Sequence, residues 1–156
     1  MINKSKLEKI IPDVLEKMKC IYEKKPMKSE QKSYINSFGP TVVKSGLLIT
    51  LIQYENENSD TWEKGKKDFI LLLKEALSGL NEAKYSFVNK DTSKEISLLL
   101  PLLKKAKENK ELKNQEINRF IDKEYKEDIM LCYLAIKNLT KVFKTNDSKI
   151  GSDSDV

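Results

Sequence analysis

Histidine is absent from this chain of 156 residues, and cysteine, glycine and proline are scarce. Without histidine, no imidazole can activate a nucleophile, act as a general acid and base near neutral pH, or ligate a metal ion. The two cysteines, Cys20 and Cys132, form no CxxC pair, so a zinc site of the usual kinds is not expected. Both fall on apolar helix faces, and we interpret them as small buried side chains in a reducing compartment.

Long apolar runs are missing as well. No segment reaches the roughly 20 residues needed to cross a bilayer, and the sequence that follows Met1 lacks the apolar centre of a signal peptide. We therefore expect a cytoplasmic protein, and the missing histidine argues against an enzyme. It should need no membrane, metal, cofactor or small-molecule substrate.

The scarcity of turn residues favours helices. With 5 glycines and 4 prolines, turns are few, which argues against many short strands. Apolar residues instead recur at spacings of three and four along most of the chain. We expect an all-α protein, with a single compact bundle of five to seven helices in residues 1–145. A disordered acidic tail should follow at residues 146–156.

The apolar periods also give approximate helix positions. Asp60 with Glu63, and Thr92 with Glu95, have the spacing of a capping box at the starts of the third and fourth helices. The last helical region is either one long helix or two with a break near Asp122. The predicted helices cover Lys4–Lys24, Ser29–Tyr54, Trp62–Leu80, Ile96–Ala106 and the region from Asn114 onward.

Two glycines and a proline interrupt the second helical region. Pro40 lacks an amide donor and Gly39 is flexible, so we expect the helix to break or restart between them. Gly46 would then lie inside an apolar helix, at a cost of roughly 1 kcal/mol relative to alanine. A helix bears that cost most readily where a neighbour must come close.

Lysine dominates the positive charge. Lysine and arginine together number 29 against 24 acidic residues, a net charge of +5, and Arg119 is the single arginine. Arginine is the usual residue for bidentate reading of bases. A lysine-rich chain fits sequence-independent phosphate contacts better.

Two lysine rows are candidates for such contacts. Lys28 and Lys32 are one helical turn apart, and the row near the end of the chain repeats at spacings of four and three. Either row alone is an ordinary solvated face, whereas two rows on the same side would form a groove for a phosphate backbone. Tyr34 and Tyr133 are either stacking partners for bases or core residues. The predicted nucleic-acid-binding residues are Lys28, Lys32, Lys44, Lys137 and Lys141, with Lys25 and Lys144 as weaker candidates.

Acidic residues form two further groups. A metal-dependent nuclease would need carboxylates that converge on one point, but the group on the last helix is interleaved with lysine, which indicates a solvated face. The segment Glu55–Glu63 contains no lysine and is either a solvated linker or a docking patch for a basic partner. The carboxylates of the last helix are Asp122, Glu124, Glu127 and Asp128.

Several of these segments together resemble one protein family. Tyr34, Pro40 and Gly46-Leu47 precede an apolar helix, a tryptophan-led helix follows at Trp62, and the last helix contains Tyr125-Lys126. This order resembles the small helical subunit of type III-B CRISPR RNA-guided effector complexes. The family commonly has arginine where this chain has lysine at 126. It also has a tryptophan near position 139 and a second basic residue at position 142, both absent here.

The resemblance implies a non-catalytic role. Copies of the small subunit stack into a minor filament beside the backbone that binds the crRNA, and they contact the target RNA strand. The implied partners are the backbone subunit, neighbouring small subunits and the crRNA–target RNA duplex. Three alternatives remain: the small subunit of a type III-A complex, a helical protein-interaction module that binds no nucleic acid, and a metal-dependent nuclease.

Overall fold

The described part of the chain folds into seven α-helices, and the longest of them packs against five others. The computed structural model describes residues 4–89, 96–108, 112–143 and 145, and these residues contain no strand. A π-helical turn at Trp62–Lys66 precedes the fourth helix, and short 3-10 turns occupy Ser86–Val88 and Thr140–Val142. The α-helices are α1 (Lys4–Lys24), α2 (Ser29–Ser45), α3 (Leu47–Tyr54), α4 (Lys67–Leu80), α5 (Glu82–Tyr85), α6 (Leu99–Lys107) and α7 (Asn114–Leu139).

One continuous hydrophobic core joins these helices, because α7 packs against α1, α2, α3, α4 and α6. The prediction of an all-α bundle with five to seven helices is confirmed. α7 is a single helix that passes Asp122 without a break. The predicted tail and the Thr92–Glu95 capping box lie outside the described residues. No helix in the described ranges is long and apolar enough to cross a membrane.

The predicted break at Gly39-Pro40 is wrong, because α2 is continuous through both residues. Pro40 has no amide hydrogen to donate to the carbonyl of Asn36, four residues earlier. The hydroxyl of Tyr133 in α7 donates to that carbonyl instead, at 3.0 Å. Gly39 permits this contact, since a Cβ atom there would lie 2.4 Å from Cε2 of Tyr133. Gly39 therefore leaves space for the Tyr133 ring, and Pro40 leaves a carbonyl free to accept from its hydroxyl.

The break falls at Gly46, which ends α2 and precedes α3. The prediction that Gly46 lies inside a helix and allows a close approach is therefore wrong. Its φ of 89° is in the region that favours glycine, and a Cβ atom there would meet nothing within 4 Å. The carbonyl of Gly46 accepts hydrogen bonds from the amide and the hydroxyl of Thr50.

The start of the third predicted helix also differs from expectation. Ser59, rather than Asp60, satisfies the first backbone donors: its carbonyl accepts from the amide of Trp62, and its hydroxyl accepts from the amide of Thr61. Glu63 instead pairs with Lys67 at 3.1 Å. The capping box expected from Asp60 and Glu63 therefore does not form.

The two cysteines have opposite environments. Cys132 is buried in α7, and burial raises the pKa of its thiol, with the nearby Asp128 carboxylate adding to the shift. Cys20 is exposed, contrary to prediction, because it lies two residues beyond Met18 and so on the opposite side of α1 from the buried stripe.

This difference predicts selective thiol labelling. In the native protein, 5,5′-dithiobis(2-nitrobenzoate) should react rapidly with Cys20 and not with Cys132, because the reactive thiolate of Cys132 is both inaccessible and disfavoured. Cys20→Ser should remove the rapid reaction, Cys132→Ser should preserve it, and denaturant should release the second thiol. Equal labelling rates for the two thiols in the native protein would contradict this packing.

Candidate nucleic-acid interface

The C-terminal ends of α1 and α7 meet the N-terminal end of α2. The ring of Tyr22, near the end of α1, stacks edge-on against Phe143 beyond α7, with centroids 5.6 Å apart. α2 begins only five residues after α1 ends. α2 and α7 therefore run antiparallel, with the contact between Gly39 and Tyr133 fixing their register. We call this part of the bundle the lysine end, because lysines from several elements lie there: Lys24, Lys25, Lys28, Lys32, Lys64, Lys67, Lys137 and Lys141.

Three of the predicted lysines lie along α2 and α7 on one side of the contact between Gly39 and Tyr133. Lys32 lies seven residues before Gly39, on the same face of α2. Lys137 follows Tyr133 by one turn, with its Nζ 5.9 Å from the ring centroid, and Lys141 is one turn further. Because the helices are antiparallel, Lys32 in α2 and the lysines that follow Tyr133 all lie on the side of this contact that faces the lysine end. The structure thus places the two predicted rows at the same end of the bundle.

A second group of lysines lines an open cleft of about 510 Å³ at the lysine end. One wall is the connection from α1 to α2, and the other is the start of α4. We call this the lysine cleft. Its basic residues are Lys24, Lys25, Lys28, Lys64 and Lys67.

The cleft also contains three carboxylates, which partly offset its positive charge: Glu30, Glu63 and Asp68. Glu63 is already paired with Lys67. Burial raises the pKa of Asp68 above its ordinary value, an effect that Lys67 and Lys25 oppose. Within the described part of the chain, Lys28 forms no ion pair, so its ammonium group remains available to an external anion.

Gly65 brings the two walls of the cleft together. Its φ of 149° distorts the π-helical turn, and a Cβ atom there would lie 2.7 Å from Cγ of Gln31 in α2. The next residue, Lys66, points away from the cleft, with its Nζ 4.6 Å from the ring centroid of Tyr54 and 5.5 Å from that of Tyr34. Burial lowers the pKa of Lys66. Lys66 thus packs against two tyrosine rings, while Lys64, two residues earlier, lines the cleft.

The two candidate stacking tyrosines differ in availability. Tyr133 is buried and its hydroxyl is bonded to α2, so it belongs to the core. Tyr34 is half-buried, and its backbone carbonyl accepts from the hydroxyl of Tyr54. Tyr34 lies beside the turn that contains Gly65, close to the cleft.

Lys44 lies apart from the other predicted residues. It is exposed near the C-terminal end of α2, roughly 24 Å from Lys28 at 1.5 Å of rise per residue. The lysine end therefore includes Lys28, Lys32, Lys137 and Lys141 but not Lys44. Lys144 lies outside the described residues.

Sequence reasoning missed three of the cleft lysines: Lys24, Lys64 and Lys67. Lys64 and Lys67 are one helical turn apart, but they lie far along the chain from Lys24, so no local spacing connects the two walls of the cleft. The one available signal was Gly65 within the lysine-rich turn, since an isolated glycine in a helical pattern often marks a close approach. Its neighbour in the fold was not identifiable from the sequence.

The carboxylates of α7 do not converge. Asp128 accepts hydrogen bonds from the hydroxyl of Tyr85 at 2.5 Å and from Lys84 at 3.3 Å, which ties α5 to α7. Glu124 and Glu127 are exposed. Among the described residues, no group of three or more acidic or cysteine side chains could hold a metal ion.

The acidic segment Glu55–Glu63 is partly engaged within the fold. Glu55, which follows the last residue of α3, accepts hydrogen bonds from the hydroxyl of Ser97 and from the amides of Leu98 and Leu99. These bonds attach the first turn of α6 to α3. Glu57, Asp60 and Glu63 are exposed, but Glu63 is paired with Lys67, which leaves few free charges for a docking patch.

Comparison with known proteins gave no relative: no family model matches the chain, and no curated protein or solved structure shows a significant similarity.

Proposed function

We propose that this protein is the non-catalytic small subunit of a type III-B CRISPR RNA-guided effector complex. In this role it supports the crRNA–target RNA duplex through phosphate contacts, as part of antiviral defence. The observation that carries the proposal is the convergence of lysines at one end of the bundle. They come from the α1–α2 connection, the N-terminal half of α2, the start of α4 and the end of α7.

The lysine end suits a phosphate backbone better than bases. An ammonium group is a compact point charge that contacts phosphate without the planar geometry that reads a base edge. Binding would release counterions, so it should be strongly salt-dependent and nearly independent of sequence. Lys28, which lines the cleft, and Lys32, one turn further along α2, connect the cleft to the α2–α7 lysines.

The proposed partners are a backbone subunit, neighbouring copies of this chain and the crRNA–target RNA duplex, all in the cytoplasm. Cleavage of the target would belong to another subunit. We assign this chain no catalytic residue, no metal and no small-molecule substrate. The small subunit of a type III-A complex would use the same lysine end and is the nearest alternative.

A second candidate is a protein-interaction module that binds no nucleic acid, with lysines that serve solubility. The observation in its favour is a group of exposed apolar side chains on α3 and α6.

Purification of the tagged protein from its native host separates these candidates. Short RNA together with a ladder of larger subunits is expected for the proposed function. Protein partners without RNA would favour the interaction module instead. Metal-dependent RNA cleavage by the purified chain alone would contradict the non-catalytic role.

A further inference from the structure

The outer face of α3 is apolar and exposed. Ile49 and Ile52, three residues apart and so neighbours on the helix surface, are 47% and 54% exposed. Val43, at the end of α2, is 73% exposed, and Leu100 in the first turn of α6 is 48% exposed. Single exposed apolar side chains are common, whereas a group of them indicates an interaction surface.

Two connections bring these side chains together. α2 and α3 are separated only by Gly46, so Val43 lies close to the start of α3. The carboxylate of Glu55 holds the amides of Leu98 and Leu99, so the first turn of α6 lies at the end of α3. The exposed side chains therefore follow α3 from one end to the other. We call Val43, Ile49, Ile52 and Leu100 the α3 surface.

A lysine lies beside each end of the α3 surface, and the exposed Glu57 lies beyond the end of α3. α3 itself carries no charged side chain, and Glu55 is taken up by its bonds to α6. Lys44 follows Val43 directly, and Lys104 lies one turn beyond Leu100 on the same face of α6. Both lysines are exposed and, within the described ranges, form no ion pair. An apolar strip with positive ends is complementary to an amphipathic helix that carries acidic residues beside its apolar stripe.

We propose that the α3 surface docks an acidic amphipathic helix from another protein. The apolar stripe of that helix would cover Ile49 and Ile52, and its carboxylates would meet Lys44 and Lys104. This proposal assigns a role to Lys44, which lies apart from the lysine end. It does not depend on RNA binding, and either proposal can fail while the other holds.

The test uses two synthetic 18-residue peptides with identical leucine stripes, one flanked by glutamate and the other by lysine. Fluorescence anisotropy of the labelled peptides should show that the glutamate peptide binds and that the lysine peptide binds at least tenfold more weakly. Ile49→Asp with Ile52→Asp should weaken the glutamate peptide by roughly tenfold or more, because both side chains lie at the centre of the surface. Lys44→Glu with Lys104→Glu should reduce the preference for glutamate over lysine.

Val142→Asp is the matched control, because Val142 is 62% exposed but lies beyond α7. That variant should bind the glutamate peptide as the parent protein does. Thermal unfolding should show that every variant retains its fold. Absence of binding, equal affinity for both peptides, or equal loss in the Val142 variant would overturn the proposal. Self-association that the Ile49 and Ile52 changes abolish, without peptide binding, would overturn it in favour of a second copy of the chain.

Discussion

Replacing Gly39 by alanine is expected to lower the free energy of unfolding by about 1–3 kcal/mol, the usual cost of overpacking. Alanine normally stabilises a helix interior by roughly 1 kcal/mol relative to glycine. Here the new methyl group would lie 2.4 Å from Cε2 and 2.8 Å from Cζ of Tyr133. The Tyr133 ring cannot move away freely, because it is buried against Phe38 and its hydroxyl bonds to Asn36.

Gly79 provides the matched control for this prediction. It also lies within a helix, α4, but a Cβ atom there would be 3.5 Å from a carboxylate oxygen of Asp13, an ordinary contact. Gly79→Ala should therefore stabilise the fold by up to about 1 kcal/mol. Urea unfolding should give a lower free energy of unfolding for Gly39→Ala than for the parent protein, and an equal or higher one for Gly79→Ala.

A double-mutant cycle with Tyr133→Leu identifies the cause. If the ring is responsible, the cost of Gly39→Ala should fall by at least about 1 kcal/mol in the Tyr133→Leu background. Additive costs would show that Tyr133 does not limit the space at Gly39.

Replacing Glu55 by alanine should destabilise the protein by about 1–3 kcal/mol, because it leaves the backbone amides of Leu98 and Leu99 and the Ser97 hydroxyl without their acceptor. Glu57→Ala, two residues away at an exposed position, should change stability by less than about 0.5 kcal/mol. Hydrogen exchange should show faster opening of α6 in the Glu55 variant. Equal effects at the two positions would contradict the role of Glu55.

The effect of Glu55 should also depend on pH. Burial raises the pKa of Glu55 above its ordinary value of 4.5, although its hydrogen bonds to Ser97, Leu99 and Leu98 oppose the shift. A raised pKa in the folded state means that folding favours the protonated form. The contribution of Glu55 protonation to the free energy of unfolding is therefore fully present below pH 4.5 and is lost as the pH rises through the folded-state pKa. The cost of Glu55→Ala should accordingly be larger in acid than at neutral pH, and a cost independent of pH would contradict the shift.

The helical architecture was predictable because the apolar period persists along the chain. α1 has the predicted bounds, and its buried side chains recur at every fourth position. The break in the second helical region was predicted at Pro40 because proline leaves a helix carbonyl without its backbone donor. That prediction did not allow for a donor from a distant part of the chain. Tyr133, nearly a hundred residues further along the chain, supplies the bond that Pro40 cannot make, so only the fold reveals why α2 continues.

The candidate interface was predictable in part for the same reason. The rows Lys28–Lys32 and Lys137–Lys141 follow from helical spacing, but their common location depends on the antiparallel contact between α2 and α7. The cleft lysines at 64 and 67 depend on the approach of Gly65 to Gln31. Tertiary contacts of this kind leave no periodic signal in the sequence.

The salt dependence of RNA binding tests the central proposal most directly. The affinity of the purified chain for a mixed-sequence RNA duplex should be measured over a range of salt concentrations. Each phosphate contact contributes roughly −0.7 to −0.9 to the slope of log affinity against log salt. The test variant replaces the lysines of α2 and of the α7 end by alanine: Lys28, Lys32, Lys137 and Lys141.

A control variant loses the same charge at exposed lysines elsewhere: Lys4, Lys104, Lys107 and Lys123. We predict that the test variant binds RNA more weakly with a flatter slope, while the control variant keeps the slope of the parent protein. A slope that is unchanged in the test variant, or reduced equally in both variants, would contradict the assignment of the lysine end to the RNA backbone.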